Sequence, residues 1–132
     1  MKTVFLGGTC NGSMWRDQLI SLLDTTKVSA FNPVVPNWTP ECQAEEIRQR
    51  ETSDYCLYVI TPKMTGVYSI AEVVDDSNKR PAKTVFCFVE NDESASFEKH
   101  QVKALTQVGK MVAANGGKCL GNLADVAAFL NA

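Results

Sequence analysis

Short runs of consecutive apolar residues recur along this chain, each followed by a longer segment with helical spacing. That alternation restricts the fold more than any other feature. Residues 3–6, 28–35, 55–60, 84–89 and 118–120 read as strands. The two clearest, Tyr55-Cys56-Leu57-Tyr58-Val59-Ile60 and Thr84-Val85-Phe86-Cys87-Phe88-Val89, are apolar almost throughout and lack the alternation of a strand with one wet face. Between them, residues 15–23, 41–51, 67–75, 96–114 and 123–130 have helical spacing, with Thr39 as cap and Pro40 in the first turn of the second helix. Strands buried on both faces and separated by helices predict a doubly wound α/β fold. We expect a parallel sheet of about five strands in the flavodoxin-like order 2-1-3-4-5.

The chain of 132 residues is read as a single domain, 1–132, long enough to bury a core without staples. A net charge of -2 argues against non-specific binding to a nucleic-acid polymer or an anionic membrane, but leaves a nucleotide open as a small ligand. The N-terminal apolar run is too short for a signal-peptide core, and no stretch has transmembrane length. Cys10, Cys42, Cys56, Cys87 and Cys119 are odd in number, scattered and never in a C-x-x-C pair. We therefore expect a reduced, cytoplasmic protein with neither a disulfide framework nor a zinc site.

In a doubly wound sheet, ligands bind at the carboxyl ends of the strands where the strand order reverses. This directs attention to residues 7–15, 32–39 and 61–72. With one histidine, His100, read as exposed on the fourth helix, there is no Ser-His-Asp triad and no histidine-rich metal site. Gly7-Gly8-Thr9-Cys10-Asn11-Gly12 is neither a dinucleotide fingerprint nor a P-loop. It is either a turn presenting backbone N–H groups to a ligand or simply a tight strand-to-helix connection.

Carboxylates are the remaining source of chemistry. Glu72 sits on an otherwise apolar segment with Tyr68 and Ser69 three or four residues before it, on one helical face. A partly desolvated carboxylate there suits a nucleophile attacking an anomeric carbon. Ser69-Ile70-Ala71-Glu72 equally fits a capping box. Glu46 and Arg50 form an ordinary i, i+4 pair. Trp15, Trp38, Tyr58, Met64 and Tyr68 are candidates to stack a flat base.

These residues together resemble the nucleoside 2-deoxyribosyltransferase superfamily, in particular its small nucleoside 2-deoxyribosyltransferase-like branch. The resemblance rests on Val4-Phe5-Leu6-Gly7-Gly8-Thr9, Trp15-Arg16, Phe31-Asn32-Pro33, Ser53-Asp54-Tyr55 and Ile60-Thr61-Pro62. It is strongest in Thr65-Gly66-Val67-Tyr68-Ser69-Ile70-Ala71-Glu72 and spans roughly the first ninety residues. It implies cleavage or transfer of the N-glycosidic bond of a nucleoside or nucleoside monophosphate, with no metal or organic cofactor. Glu72 stands where the family has the glutamate that forms a covalent sugar intermediate. Glu46 stands where it has a second acid, usually Asp, eight positions before Asp54.

The resemblance further implies substrate contacts from Gly8, Thr9, Trp15, Arg16, Asn32, Asp54, Thr65, Gly66, Tyr68 and Ser69, with Arg16, Thr65, Gly66 and Ser69 the candidates for holding a phosphate. Lys63-Met64-Thr65-Gly66 departs from the Asp that transferases often carry before the nucleophile. A homodimer or larger assembly is implied by analogy. The competing reading, from a different functional class, is a non-catalytic binder of a nucleotide or an ADP-ribose-type signal, which has no need of Glu72 and Glu46 together.

Overall fold

A computed structural model describes residues 1–10 and 12–132; Asn11, in the predicted glycine-rich turn, lies outside the described residues. Five parallel strands form the main sheet: β1 (Lys2–Gly8), β2 (Val28–Phe31), β3 (Tyr55–Ile60), β4 (Thr84–Phe88) and β7 (Lys118–Leu120). Their order is β2-β1-β3-β4-β7, the expected 2-1-3-4-5 sequence of sheet strands. The two remaining strands, β5 (Asn91–Asp92) and β6 (Ala95–Ser96), form a small antiparallel hairpin after β4 that the sequence reading did not anticipate. The helices are α1 (Trp15–Leu22), α2 (Pro40–Thr52), α3 (Tyr68–Lys79), α4 (Lys99–Ala114) and α5 (Leu123–Asn131).

The strands are apolar throughout because both faces are covered. Val4, Leu6, Leu57, Val59, Val85 and Cys87 point to one face and pack with Trp15 and Leu19 of α1 and Val126 and Leu130 of α5. The alternate residues Phe5, Cys56, Tyr58, Ile60 and Phe86 point to the other and pack with Val73 of α3 and Leu105 and Val112 of α4. The period of two that a half-exposed strand shows is thus hidden here by burial on both sides. Helix α2 differs: it contains no buried residue, and its capping threonine, Thr39 Oγ1, accepts from the Cys42 N–H at 3.3 Å.

Three boundaries differ from expectation for physical reasons. β2 stops at Phe31 and does not run to residue 35: the Asn32 side chain accepts from the Val34 N–H at 3.0 Å, turning the chain, and Pro33 has no N–H for a ladder. α4 starts at Lys99, because residues before it belong to the hairpin, where Glu93 adopts φ 53°. α3 starts at Tyr68 with Val67 at its N-cap and no side-chain cap. Ser69 therefore lies inside the first turn, and Glu72 two positions beyond where a capping box needs it. No helix among the described residues is long and apolar enough to cross a membrane.

Candidate functional site

The loop after β1 is built on a close approach between strands. Gly8 has φ +118°, and a Cβ there would lie 2.0 Å from the Val59 carbonyl oxygen. Only glycine fits. The next residue, Thr9, is buried; its N–H donates to Val59 O at 3.0 Å and its hydroxyl accepts from the Thr61 N–H at 2.9 Å. The ends of β1 and β3 are thereby stitched together at the point where the strand order reverses.

Trp15 and Arg16 lie beneath this loop. The Trp15 indole donates to the Thr9 carbonyl at 2.8 Å, and Arg16 donates to the carbonyls of Leu6 at 3.1 Å and Thr9 at 2.6 Å. Both side chains are buried, with the guanidinium over the indole ring at 4.5 Å. Desolvation lowers the Arg16 pKa from its ordinary value. These two residues shape the loop from below; neither lines the cleft that the loop borders.

That cleft, of about 530 Å³, lies at the carboxyl ends of β1, β2 and β3. This is within the range of small-molecule sites. From the β1 side it is lined by Gly8, Thr9 and Cys10; from the loop after β2 by Pro33, Val34, Val35 and Trp38; and from β3 and α3 by Ile60, Met64, Thr65, Gly66, Tyr68, Ser69 and Glu72. Helix α2 adds Gln43, Glu46, Ile47 and Arg50, the i, i+3, i+4, i+7 stripe of one helical face.

Six of the ten expected substrate contacts, Gly8, Thr9, Thr65, Gly66, Tyr68 and Ser69, thus converge with the two acids Glu72 and Glu46. Four do not. Besides Trp15 and Arg16, Asn32 uses its side chain in the turn already described. Asp54 stands before the amino end of β3, where its carboxylate accepts from the Thr3 N–H at 2.8 Å, at the opposite edge of the sheet. Of the aromatic candidates, Trp38 and Tyr68 line the cleft and are exposed, whereas Tyr58 is fully buried under it.

The acids face each other across the cleft from α2 and α3. The Glu72 side chain is 13% exposed and lies 3.6 Å from Arg50. Its pKa is pushed up to about 7, chiefly by desolvation; Glu46 and Asp76 raise it further, while Arg50 opposes them. Burial also raises the Glu46 carboxyl, against a hydrogen bond from the Trp38 indole and the charge of Arg50.

Arg50 was not expected in the site. The sequence spacing suggests a local pair with Glu46, yet its ion pairs cross to α3. It meets Glu72, Asp75 at 3.2 Å and Asp76 at 2.8 Å. Asp76 is completely buried and also accepts from the Tyr58 hydroxyl and pairs with Arg80. Spacing could not have revealed this, since the contacts span 22 to 26 residues of chain and depend on how α2 docks.

A second cluster sits just outside the cleft. Lys63 pairs with Glu93 of the hairpin and donates to the Gly12 carbonyl at 3.2 Å, while Ser13 donates to Asp92 at 2.6 Å. It joins the loops after β1, β3 and β4 at the sheet's carboxyl rim. Among the described residues no three His, Cys, Asp or Glu side chains are grouped as a metal site requires.

No curated protein matches the chain at a significant level. The family model described as "Nucleoside 2-deoxyribosyltransferase like" matches residues 1–91, from β1 through the start of the hairpin and including every residue that lines the cleft. With that match over more than two-thirds of its length, the chain belongs to the nucleoside 2-deoxyribosyltransferase-like family.

Proposed function

We propose that this protein cleaves or transfers the N-glycosidic bond of a (deoxy)nucleoside or nucleoside monophosphate through a covalent glutamyl-sugar intermediate. The observation that carries the reading is the pairing of two desolvated carboxyl groups, Glu72 and Glu46, on facing helices of a cleft whose rim carries Trp38 and Tyr68. In the ionised form, a Glu72 oxygen attacks C1′ of the sugar. The C1′–N bond breaks, its electron pair leaves with the base nitrogen, and Glu46 in its acid form or solvent supplies the proton. Water then attacks C1′, the C1′–Oε bond breaks, and Glu46 takes the water's proton; a second base in place of water completes a transfer. Placing an anion in a desolvated site opposite a developing oxocarbenium charge stabilises the transition state more than it would in water.

The substrate-binding role falls to the cleft residues Gly8, Thr9, Thr65, Gly66, Tyr68 and Ser69, with Trp38 and Tyr68 as stacking surfaces for the base. Exposed Val34, Val35, Trp38, Val67 and Tyr68 around the mouth favour closure by a second copy of the chain in a homodimer or larger assembly. All five cysteines are free, which suits a reducing, cytoplasmic setting. Incubation with a panel of nucleosides and monophosphates, with chromatographic detection of free base, tests the reading; a second base added to the same panel separates transfer from hydrolysis. Sedimentation analysis tests the assembly.

A further inference from the structure

We infer that Arg50 is a positioning residue for Glu72: anchored on the buried Asp76, its guanidinium holds the Glu72 carboxylate toward the cleft and supplies the positive charge that lets it ionise there. The geometry has two parts. One side of the guanidinium is fixed, with Nε and Nη2 bonded to Asp76 at 3.3 and 2.8 Å, and Asp76 is itself held by Tyr58 and Arg80. The other nitrogen, Nη1, is left facing Glu72 Oε2 at 3.6 Å. A planar fork suits this because its donors keep a fixed relation; an ammonium in the same place does not.

The electrostatic side follows from the groups around Glu72. Two of them disfavour its charge, Glu46 of α2 and Asp76 of α3, while the buried Tyr58 phenol of β3 stays neutral. Arg50 is the one cation lining the cleft among the described residues, and its own side chain is only 12% exposed. With Arg50 in place the Glu72 carboxyl titrates at about 7. Removing an opposite charge at this range raises a carboxyl pKa by about one unit or more. At neutral pH Glu72 would then be held mostly as the acid, unable to attack. Only the kinetic side of this inference rests on the proposed reaction; the titration side does not.

The alternative is that Arg50 merely ties α2 to α3. The test is the titration of the Glu72 carboxyl, followed by ¹³C NMR in selectively labelled protein, in wild type and Arg50→Gln. To guard against misfolding from an uncompensated Asp76, the same comparison is made in an Asp76→Asn background, where the buried charge is gone as well. The inference requires the Glu72 midpoint to rise by about one pH unit or more on loss of Arg50 in either background. If activity is found, kcat at neutral pH falls at least about fivefold with KM changed less, and the acid limb of the rate profile moves up with the midpoint. A Glu72 midpoint that stays within about 0.3 units of wild type in a folded variant overturns the inference, whether or not the protein releases any base.

Discussion

Glu72 on α3 and Glu46 on α2 face one another across a single cleft, close enough that the negative charge of Glu46 raises the pKa of Glu72. Two acids whose ionisations oppose each other can hold one proton between them near neutral pH, the arrangement that lets one act as a nucleophile while the other acts as an acid.

Replacing Glu72 with Gln keeps size and hydrogen bonding but removes the nucleophile. Turnover is expected to fall at least about a hundredfold, with ligand binding retained, measured by steady-state kinetics and calorimetric titration. Glu46→Gln removes the proton donor and should cost less with substrates whose base leaves readily.

The proposed chemistry also fixes the direction of pH dependence. Only ionised Glu72 attacks, so kcat/KM should climb with pH through about 7. A rate profile that instead falls steadily from acid to neutral pH would show that Glu72 acts in its protonated form.

Stability should respond to the same group. The folded-state pKa of Glu72 is about 7 against an ordinary 4.5, so between these values the unfolded chain has lost a proton that the folded chain retains. Its contribution is fully present below pH 4.5 and is lost as pH rises through about 7. Relaxation and water in the cleft reduce the full linkage value to about 1–2 kcal/mol. Denaturant titrations should therefore show Glu72→Gln gaining on wild type across that window and levelling off above it.

Gly8→Ala tests the floor of the site. A Cβ 2.0 Å from the Val59 carbonyl, at φ +118°, requires the strand ends to separate. A loss of at least about 2 kcal/mol is expected in urea unfolding, together with loss of ligand binding. Gly12→Ala is a contrasting control: a Cβ there meets nothing within 4 Å, leaving only the strain of φ +71°.

Much of this architecture can be read from the residues alone. The strands 55–60 and 84–88 are continuous apolar runs because Tyr58 and Val59, or Phe86 and Cys87, enter opposite cores. The loops of the cleft follow from strand order. The β5–β6 hairpin is invisible to periodicity, since two-residue strands carry no pattern. The capping-box reading of Ser69 and Glu72 fails because Val67, and not Ser69, takes the cap position. Trp15 and Arg16 are at the expected loop but turned inward, because the carbonyls of Leu6 and Thr9 need donors there. Arg50 could not be placed from sequence, since its partners are set by tertiary docking.

The central claim is tested most directly by incubating wild type and Glu72→Gln with the nucleoside and monophosphate panel and measuring free base by chromatography. The account predicts base release from at least one substrate by wild type, reduced at least about a hundredfold in Glu72→Gln while binding persists. A wild-type protein that releases no base from any substrate, yet binds a nucleotide equally well before and after Glu72→Gln, would contradict it and mark the protein as a binder of nucleotide-type signals.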